Sequence, residues 1–378
     1  MASTDIFNFK EQLTKHMTDS TKESLTELSE AFENGHFLDV TTHIHTFREA
    51  FEVDDSLNHL LLLLEATACA QANNPERAKH IIHTLYNNDD KKSIDDLLLY
   101  GNLAFMADLK LARRIMTDAV KQLESAEAVD VAKAGQAYLV LGETEEHLRN
   151  LVRAARYYEK ALDYATRDEE NRESLILFIH FKLGAIFSLR NETDEALNYF
   201  EQAIERAGDD NEEIKINCML SIAKIYNRLE QYEDAHRYLD ELLPLVEKSS
   251  LNDSFVHAEA LTDLAYNYFC RKMYEEAAEA YERATDMHEL LPNLSVRELG
   301  MIYMQFAYCL EQKDDEDNDF AASTYNKAYD NLKLANDNEL LVDAMNDIVR
   351  FADETNKHKM KKTYENRLMK LMKEMNNS

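Results

Sequence analysis

The chain has no tryptophan, and only 3 prolines and 7 glycines among 378 residues. So little turn chemistry leaves no material for a set of hairpins or long loops, and argues for helices nearly throughout. Cysteine is also sparse. Cys69, Cys218, Cys270 and Cys309 lie far apart, show no C-x-x-C spacing, and each falls in an apolar helical segment. That pattern fits buried free thiols in a reducing compartment better than a disulfide framework. The longest aliphatic run, Leu60 to Leu64, is far too short to span a bilayer. Met1-Ala-Ser-Thr-Asp5 does not open a basic stretch followed by an apolar run, so a secretory signal is not expected and a cytoplasmic location is.

Positive charge is the other shortage. Lys and Arg number 42 against 72 Asp and Glu, a formal charge of −30. A surface this acidic repels phosphate backbones and anionic lipid, so neither nucleic acid nor membrane is an expected partner. Basic or neutral polypeptides are favoured, although acidity is also an ordinary solubility device.

What the chain has is recurrence. It reads Tyr138-x-x-Leu141-Gly142 and then Ala154, Tyr158 and Ala161; His180-x-x-Leu183-Gly184-x-x-Phe187 and then Ala196, Phe200 and Ala203; Leu261-x-x-Leu264-Ala265-x-x-Tyr268 and then Ala277, Tyr281 and Ala284. This resembles the tetratricopeptide (TPR) repeat, two antiparallel helices in contact through small residues. The small residue early in each second helix gives landmarks at Val40, Ala78, Ala112, Ala154, Ala196, Ala235, Ala277 and Ala321. Most spacings exceed the usual TPR period of about 34 residues. The resemblance implies an all-α, right-handed superhelical solenoid of about eight helix-turn-helix repeats, with an extra N-terminal helix and a C-terminal capping helix.

Four segments differ in how well they match. Residues 1–55 hold N-terminal helices and a first degenerate repeat, and 56–130 further degenerate repeats in which Glu65 takes a normally apolar position. Residues 131–290 match well. Residues 291–378 hold a last repeat, stretched by the acidic run Lys313 to Asp319, and basic capping helices. Ile6, Phe9, Leu13 and Met17 form the stripe of the extra first helix. Residues 355–378 carry 7 Lys and Arg against 2 Glu, with Tyr364, Leu368, Leu371 and Met372 on one apolar face.

Local signals mark helix ends. Ser20-x-x-Glu23 and Ser93-x-x-Asp96 have the form of N-terminal caps, Thr193 is a third cap, Pro75 suits a first helical position, and Gly35 and Gly208 suit helix ends. Gly142, Gly184, Ala223 and Ala265 are expected to face alanines of the paired helix.

No catalytic motif is present: there is no glycine-rich phosphate loop, G-x-S-x-G or H-E-x-x-H. His43-x-His45 and His80-x-x-His83 lack further ligands nearby. Asp315-x-Asp317-x-Asp319 imitates an EF-hand start but lacks the sixth-position glycine and carries Asn326 at the twelfth. Neither metal nor other cofactor is expected, and the chain reads as a non-enzyme.

In a TPR solenoid the first helices line the concave groove. Carrying that over places Lys182, Asn217, Ser221, Lys224, Asn227, Arg228, Thr262, Asp263, Tyr266, Gln305 and Tyr308 there, with Glu143 and His147 beside them. Amide and cationic side chains in such a groove can bond an extended peptide's backbone and a carboxylate; the alternative is that they are ordinary solvated polar residues. Lys224 and Asn227 do not repeat across adjacent units as a chaperone-tail clamp would require. The expected partner is therefore a protein or peptide of unspecified identity, held by a scaffold. Size, long repeat period and acidity are also similar to Rap-type regulators and related peptide-pheromone receptors of Gram-positive bacteria. That resemblance implies a signalling peptide in the groove and a response regulator or other signalling protein as target. Residues 1–55 are too short, and wrongly charged, for a DNA-binding helix-turn-helix plus linker.

Overall fold

A computed structural model describes residues 9–88, 92–168, 173–208, 211–291, 294–313 and 318–377. Among them are nineteen helices and no strand. A short α1 (Phe9–Thr14) precedes a succession of antiparallel pairs: α2 (Lys22–Glu33) with α3 (Phe37–Ala50), α4 (Asp55–Gln71) with α5 (Pro75–Asn88), α6 (Ile94–Ala107) with α7 (Leu109–Glu124), and α8 (Val131–His147) with α9 (Leu151–Arg167). Next come α10 (Glu173–Leu189) and α11 (Thr193–Ala207). The pairs α12 (Glu212–Arg228) with α13 (Tyr232–Lys248), α14 (Phe255–Cys270) with α15 (Tyr274–Leu290), α16 (Val296–Gln312) with α17 (Asn318–Leu334), and α18 (Asn338–Glu354) with α19 (His358–Asn377) follow. The chain forms two compact units, Met1–Ala196 and Leu197–Ser378. No described helix is long and apolar enough to cross a membrane.

The landmark residues do what their size allows. Val40 and the seven landmark alanines are each at 0% exposure, one in every second helix from α3 to α17. At Gly142 the missing side chain has a different purpose from the one expected. A Cβ on Gly142 would lie 2.8 Å from the ring of Tyr158, not against an alanine, and one on Gly300 would lie 2.6 Å from Leu332. Glycine here admits a large side chain from the paired helix. Gly135 does sit over alanine backbone, near Ala161 and Ala165, with the Tyr164 Cβ beside it.

One device closes most pairs. Gly35, Asn73, Arg149, Asn191, Glu230, Lys272 and Asn356 all have positive φ between the two helices of a pair. The N–H of the residue after each one donates back to the carbonyl five positions earlier, for example Asn150 to Glu145 and Met273 to Tyr268, at 2.8–3.0 Å. This is the Schellman closure, which satisfies carbonyls that a helix end leaves open. Between α6 and α7 a single residue suffices: Asp108 ends one helix and caps the next by accepting from the Leu111 N–H at 2.8 Å.

The caps read from sequence hold in part. Ser93 and Asp96 make a reciprocal capping box, and Pro75 opens α5. Ser20 does not cap α2: the helix starts after Thr21, and Ser20 Oγ bonds Thr18 instead. The turn hydroxyls of Thr18, Ser20 and Thr21 bond one another, which removes the serine from the cap. Thr193 is the first residue of α11 rather than its cap.

Polar staples join successive pairs. Glu65, at 3% exposure, accepts from Arg48 at 2.8 Å and Arg77 at 2.5 Å, which explains a carboxylate at an apolar position. Glu145 is bound the same way by Arg113 and Asn150, and Glu311 by Arg350. In the first unit Tyr138 donates to Glu124 and receives Lys160 at 2.7 Å. The second unit repeats the arrangement, with Tyr303 donating to Glu289 and Lys327 reaching Glu289 at 2.9 Å. Within each unit, successive first helices also touch, α4 with α6, α6 with α8, α12 with α14, and α14 with α16.

At the C-terminus Tyr364 is buried and bonds Asn326 at 2.6 Å, while Leu368 and Leu371 pack on the core of α16–α18. Met372, expected on the same apolar face, is 49% exposed. Ile6 of the expected first stripe, and Asp315 and Asp317 of the calcium-like run, lie outside the described residues.

Candidate functional site

In the first unit, α8 and α10 bring Lys182 to Glu146. Its Nζ donates to Oε1 at 3.0 Å, and the other carboxylate oxygen accepts the Tyr158 hydroxyl at 2.5 Å. Lys182 also lies 5.7 Å from the Phe178 ring. One turn away, burial holds the Glu143 carboxyl above its ordinary range, with Lys182 opposing that shift. Two carboxyl groups thus share one lysine.

The other ten groove residues named from sequence lie in the second unit, on α12, α14 and α16. Lys224 Nζ donates to Glu259 at 2.9 Å and lies 3.8 Å from Asp263. Glu259 and Asp263 are four apart, so α14 presents them on one face. Burial pushes the Asp263 carboxyl from 3.8 up to about 7, against the pull of Lys224 and with the help of Glu259. The arrangement matches the one in the first unit: one lysine, two carboxyl groups, one of them desolvated.

Around this centre the named residues behave differently. Asn227 is buried, its amide donating to the Asp263 carbonyl at 3.2 Å and accepting from Asn267 at 2.8 Å. It braces α12 against α14 with both ends of its side chain engaged. Asn217, Ser221 and Thr262 each donate to their own helix four residues back, at 2.7–2.8 Å, and Thr262 also meets His288 Nε2 at 3.0 Å. Their oxygens keep acceptor capacity. Gln305 accepts the Tyr281 hydroxyl at 2.8 Å, which occupies its oxygen and leaves its amide nitrogen as a donor. Tyr308 stands edge-on to Phe269 and Tyr274. Tyr266 is pushed up to about 12 by its hydrogen bond with Cys270 and by burial. Arg228 is exposed at the end of α12.

Two members of the centre were missed by position counting. Glu259 precedes Thr262, the first residue named on its helix, yet its spacing of four from Asp263 marks it as sharing that face. Asn267 is invisible without the fold, because its partner Asn227 lies 40 residues away. Among the described residues no group of three or more His, Cys, Asp or Glu could hold a metal ion. One ammonium faces two carboxyl groups, which leaves a net negative charge only when both are ionised, and amide and hydroxyl groups nearby have the donors and acceptors of a peptide-binding surface.

Residues 62–316 match the family model of the MalT-like TPR region, and the chain belongs to that family. The fold is accordingly an all-α, TPR-like solenoid. It is similar to the apo form of RapI, with 14% identity over 95% of this chain and 99% of that one and a TM-score of 0.62. It is also similar to the quorum sensor NprR of B. thuringiensis, at 15% identity, 94% and 99% coverage and a TM-score of 0.54. Aspartyl phosphate phosphatase F of Bacillus subtilis is likewise similar, at 14% identity, 94% and 95% coverage and a TM-score of 0.53. At these identities the likeness concerns the fold. No curated protein matches the chain in sequence.

Proposed function

We propose that this protein is a non-catalytic TPR scaffold that binds a peptide segment, free or part of a partner protein, on the first-helix faces of its repeats. The segment carries lysine or arginine side chains. The observation that carries this reading is the duplicated centre: Lys182 with Glu143 and Glu146 in one unit, and Lys224 with Glu259 and Asp263 in the other. Each has an excess carboxyl group, and desolvation strengthens a charge pair formed there. Asn217, Ser221, Thr262, Gln305, Tyr266 and Tyr308 supply backbone and ring contacts, Asn227 holds α12 to α14, and Arg228 meets a carboxylate. The net charge of −30 favours such a partner and disfavours nucleic acid and anionic membrane.

A more specific reading is a peptide-responsive regulator in the manner of the Rap-type proteins, in which peptide binding changes the hold on a signalling protein. Similarity to RapI and NprR along nearly the full length of each chain supports it. Fluorescence anisotropy with a panel of short peptides tests the common ground. Cationic peptides bind, and Glu259→Gln with Asp263→Asn weakens them by about tenfold or more, as expected for removal of a part-buried charge partner. Equal affinity for acidic and basic peptides, or indifference to the double substitution, contradicts the proposal.

A further inference from the structure

The end of the chain reverses the charge of the rest. Residues 355–378 carry 7 Lys and Arg against 2 Glu, in a protein of net charge −30. Part of this charge gathers around one open cavity of about 600 Å³, between α17, the turn that joins α18 to α19, and the first turns of α19. Lys357, His358, Lys359 and Arg367 line it, and no described Asp or Glu does. Its volume is that of a small-molecule site.

The cations are spent unequally. Lys357 Nζ pairs with Asp319 at 2.5 Å, but that aspartate is 96% exposed, so the pair is easily exchanged. Lys361 is drawn to Asp353 instead and stays out of the lining. Among the described residues no carboxylate pairs with Lys359 or Arg367. Arg367 is nevertheless held in place: its guanidinium carbon lies 4.5 Å from the Tyr329 ring centre and 4.8 Å from that of Tyr364. Tyr364 is itself buried and anchored, donating its hydroxyl to Asn326 at 2.6 Å. Stacking uses the face of a guanidinium and leaves N–H donors on its edge. Asn326, also in the lining, gives one amide N–H to the Ala322 carbonyl at 2.9 Å and keeps the other.

Helix stability alone would not choose this arrangement. Acids are favoured where a helix begins, yet α19 has none in its first turn and begins beside three consecutive basic residues. An anion in the cavity relieves that conflict. The field of a −30 protein repels an extended polyanion, which leaves a compact one. A carboxylate brings two oxygens and one charge, fewer than a guanidinium, an ammonium, an imidazole and an amide can engage. A phosphate monoester brings three oxygens and nearly two charges.

We propose that this cavity binds the phosphate group of a small phosphorylated molecule, with Arg367 as the fixed fork and Lys359 as the second cation. The site lies on second helices, away from the lysine–carboxylate centres, and stands independently of the peptide-binding proposal.

Isothermal titration calorimetry of the full chain with inorganic pyrophosphate, in metal-free buffer of low salt, tests it. One site per chain is expected, with a dissociation constant of about 1 mM or tighter. Arg367→Lys keeps the charge but loses the fork, and should weaken binding by about tenfold with an unchanged helical circular dichroism spectrum. Lys359→Gln should weaken it by about threefold or more, and carries the test alone if the Arg367 change disturbs the fold. Lys370→Gln with Lys373→Gln removes two charges of the same helix that do not line the cavity, and should leave affinity within about twofold. No binding up to about 10 mM overturns the proposal. So does native affinity in folded Arg367→Lys or in Lys359→Gln, or an equal loss in the Lys370 and Lys373 control. Citrate that binds as tightly as pyrophosphate overturns the assignment to phosphate.

Discussion

At the scale of single residues, identical chemistry is used for opposite ends. Gly142 and Gly101 both lack a Cβ inside a first helix, but their neighbours differ. A methyl on Gly142 meets the ring of Tyr158, which is fully buried and tied by its hydroxyl to Glu146. On Gly101 it meets Met116 at Cε, Sδ and Cγ, an unbranched side chain that can turn aside about three bonds. Alanine gains about 1 kcal/mol of helix propensity over glycine. Gly142→Ala should still lower stability by about 1–3 kcal/mol through overpacking, whereas Gly101→Ala should be near neutral. Paired thermal melts check the contrast.

Asp263 gives a residue-scale prediction in pH. Its carboxyl titrates near 3.8 when unfolded and near 7 in the fold, facing Lys224, Glu259 and Asn227. The folded protein therefore holds a proton that the unfolded chain has lost, and this group's contribution to stability falls as pH rises from about 4 through 7. Ionisation also creates the charge that a cationic peptide needs, so affinity for such a peptide should rise across pH 6 to 8. Asp263→Asn should flatten that limb when titration calorimetry is repeated across the range.

At the scale of elements, the repeat was readable because its packing reduces to a few side-chain sizes. One small residue per second helix predicted eight buried positions from α3 to α17, and Pro75 and the Ser93–Asp96 box marked helix starts as expected. The turns were less readable. Arg149, Glu230 and Lys272 adopt positive φ although their side chains carry no preference for it, because the Schellman closure imposes the conformation on whatever residue falls there. Met372 was misplaced for a related reason. A stripe at helical spacing says that a face is apolar, not that another helix covers it. The exposed Lys272, at φ 62°, offers a direct check. Lys272→Gly relieves the left-handed strain and should raise stability by about 0.5–1 kcal/mol, net of the entropy glycine adds to the unfolded chain. Chemical denaturation with an unchanged m-value would register it.

At the scale of the whole molecule, sequence named candidate positions on the first helices but not how their side chains are spent. Lys182, Lys224 and Asp263 were found by repeat position. That Asn227 is consumed internally, and that Glu259 completes the second centre, depends on contacts between helices 35 or more residues apart. The charge of −30 acts on all of these sites together, and salt screens it over about 8 Å at physiological ionic strength. The partly buried lysine–carboxylate centres are screened less, and they can retain a cationic peptide when the general field is damped. Hydrogen–deuterium exchange on the full chain, with and without a saturating cationic peptide, reads the outcome helix by helix. Slowed exchange is predicted on the first helices α8, α10, α12, α14 and α16, with the second helices α9, α11, α13, α15 and α17 unchanged. Protection confined to those second helices, or none on any helix at saturation, would contradict it.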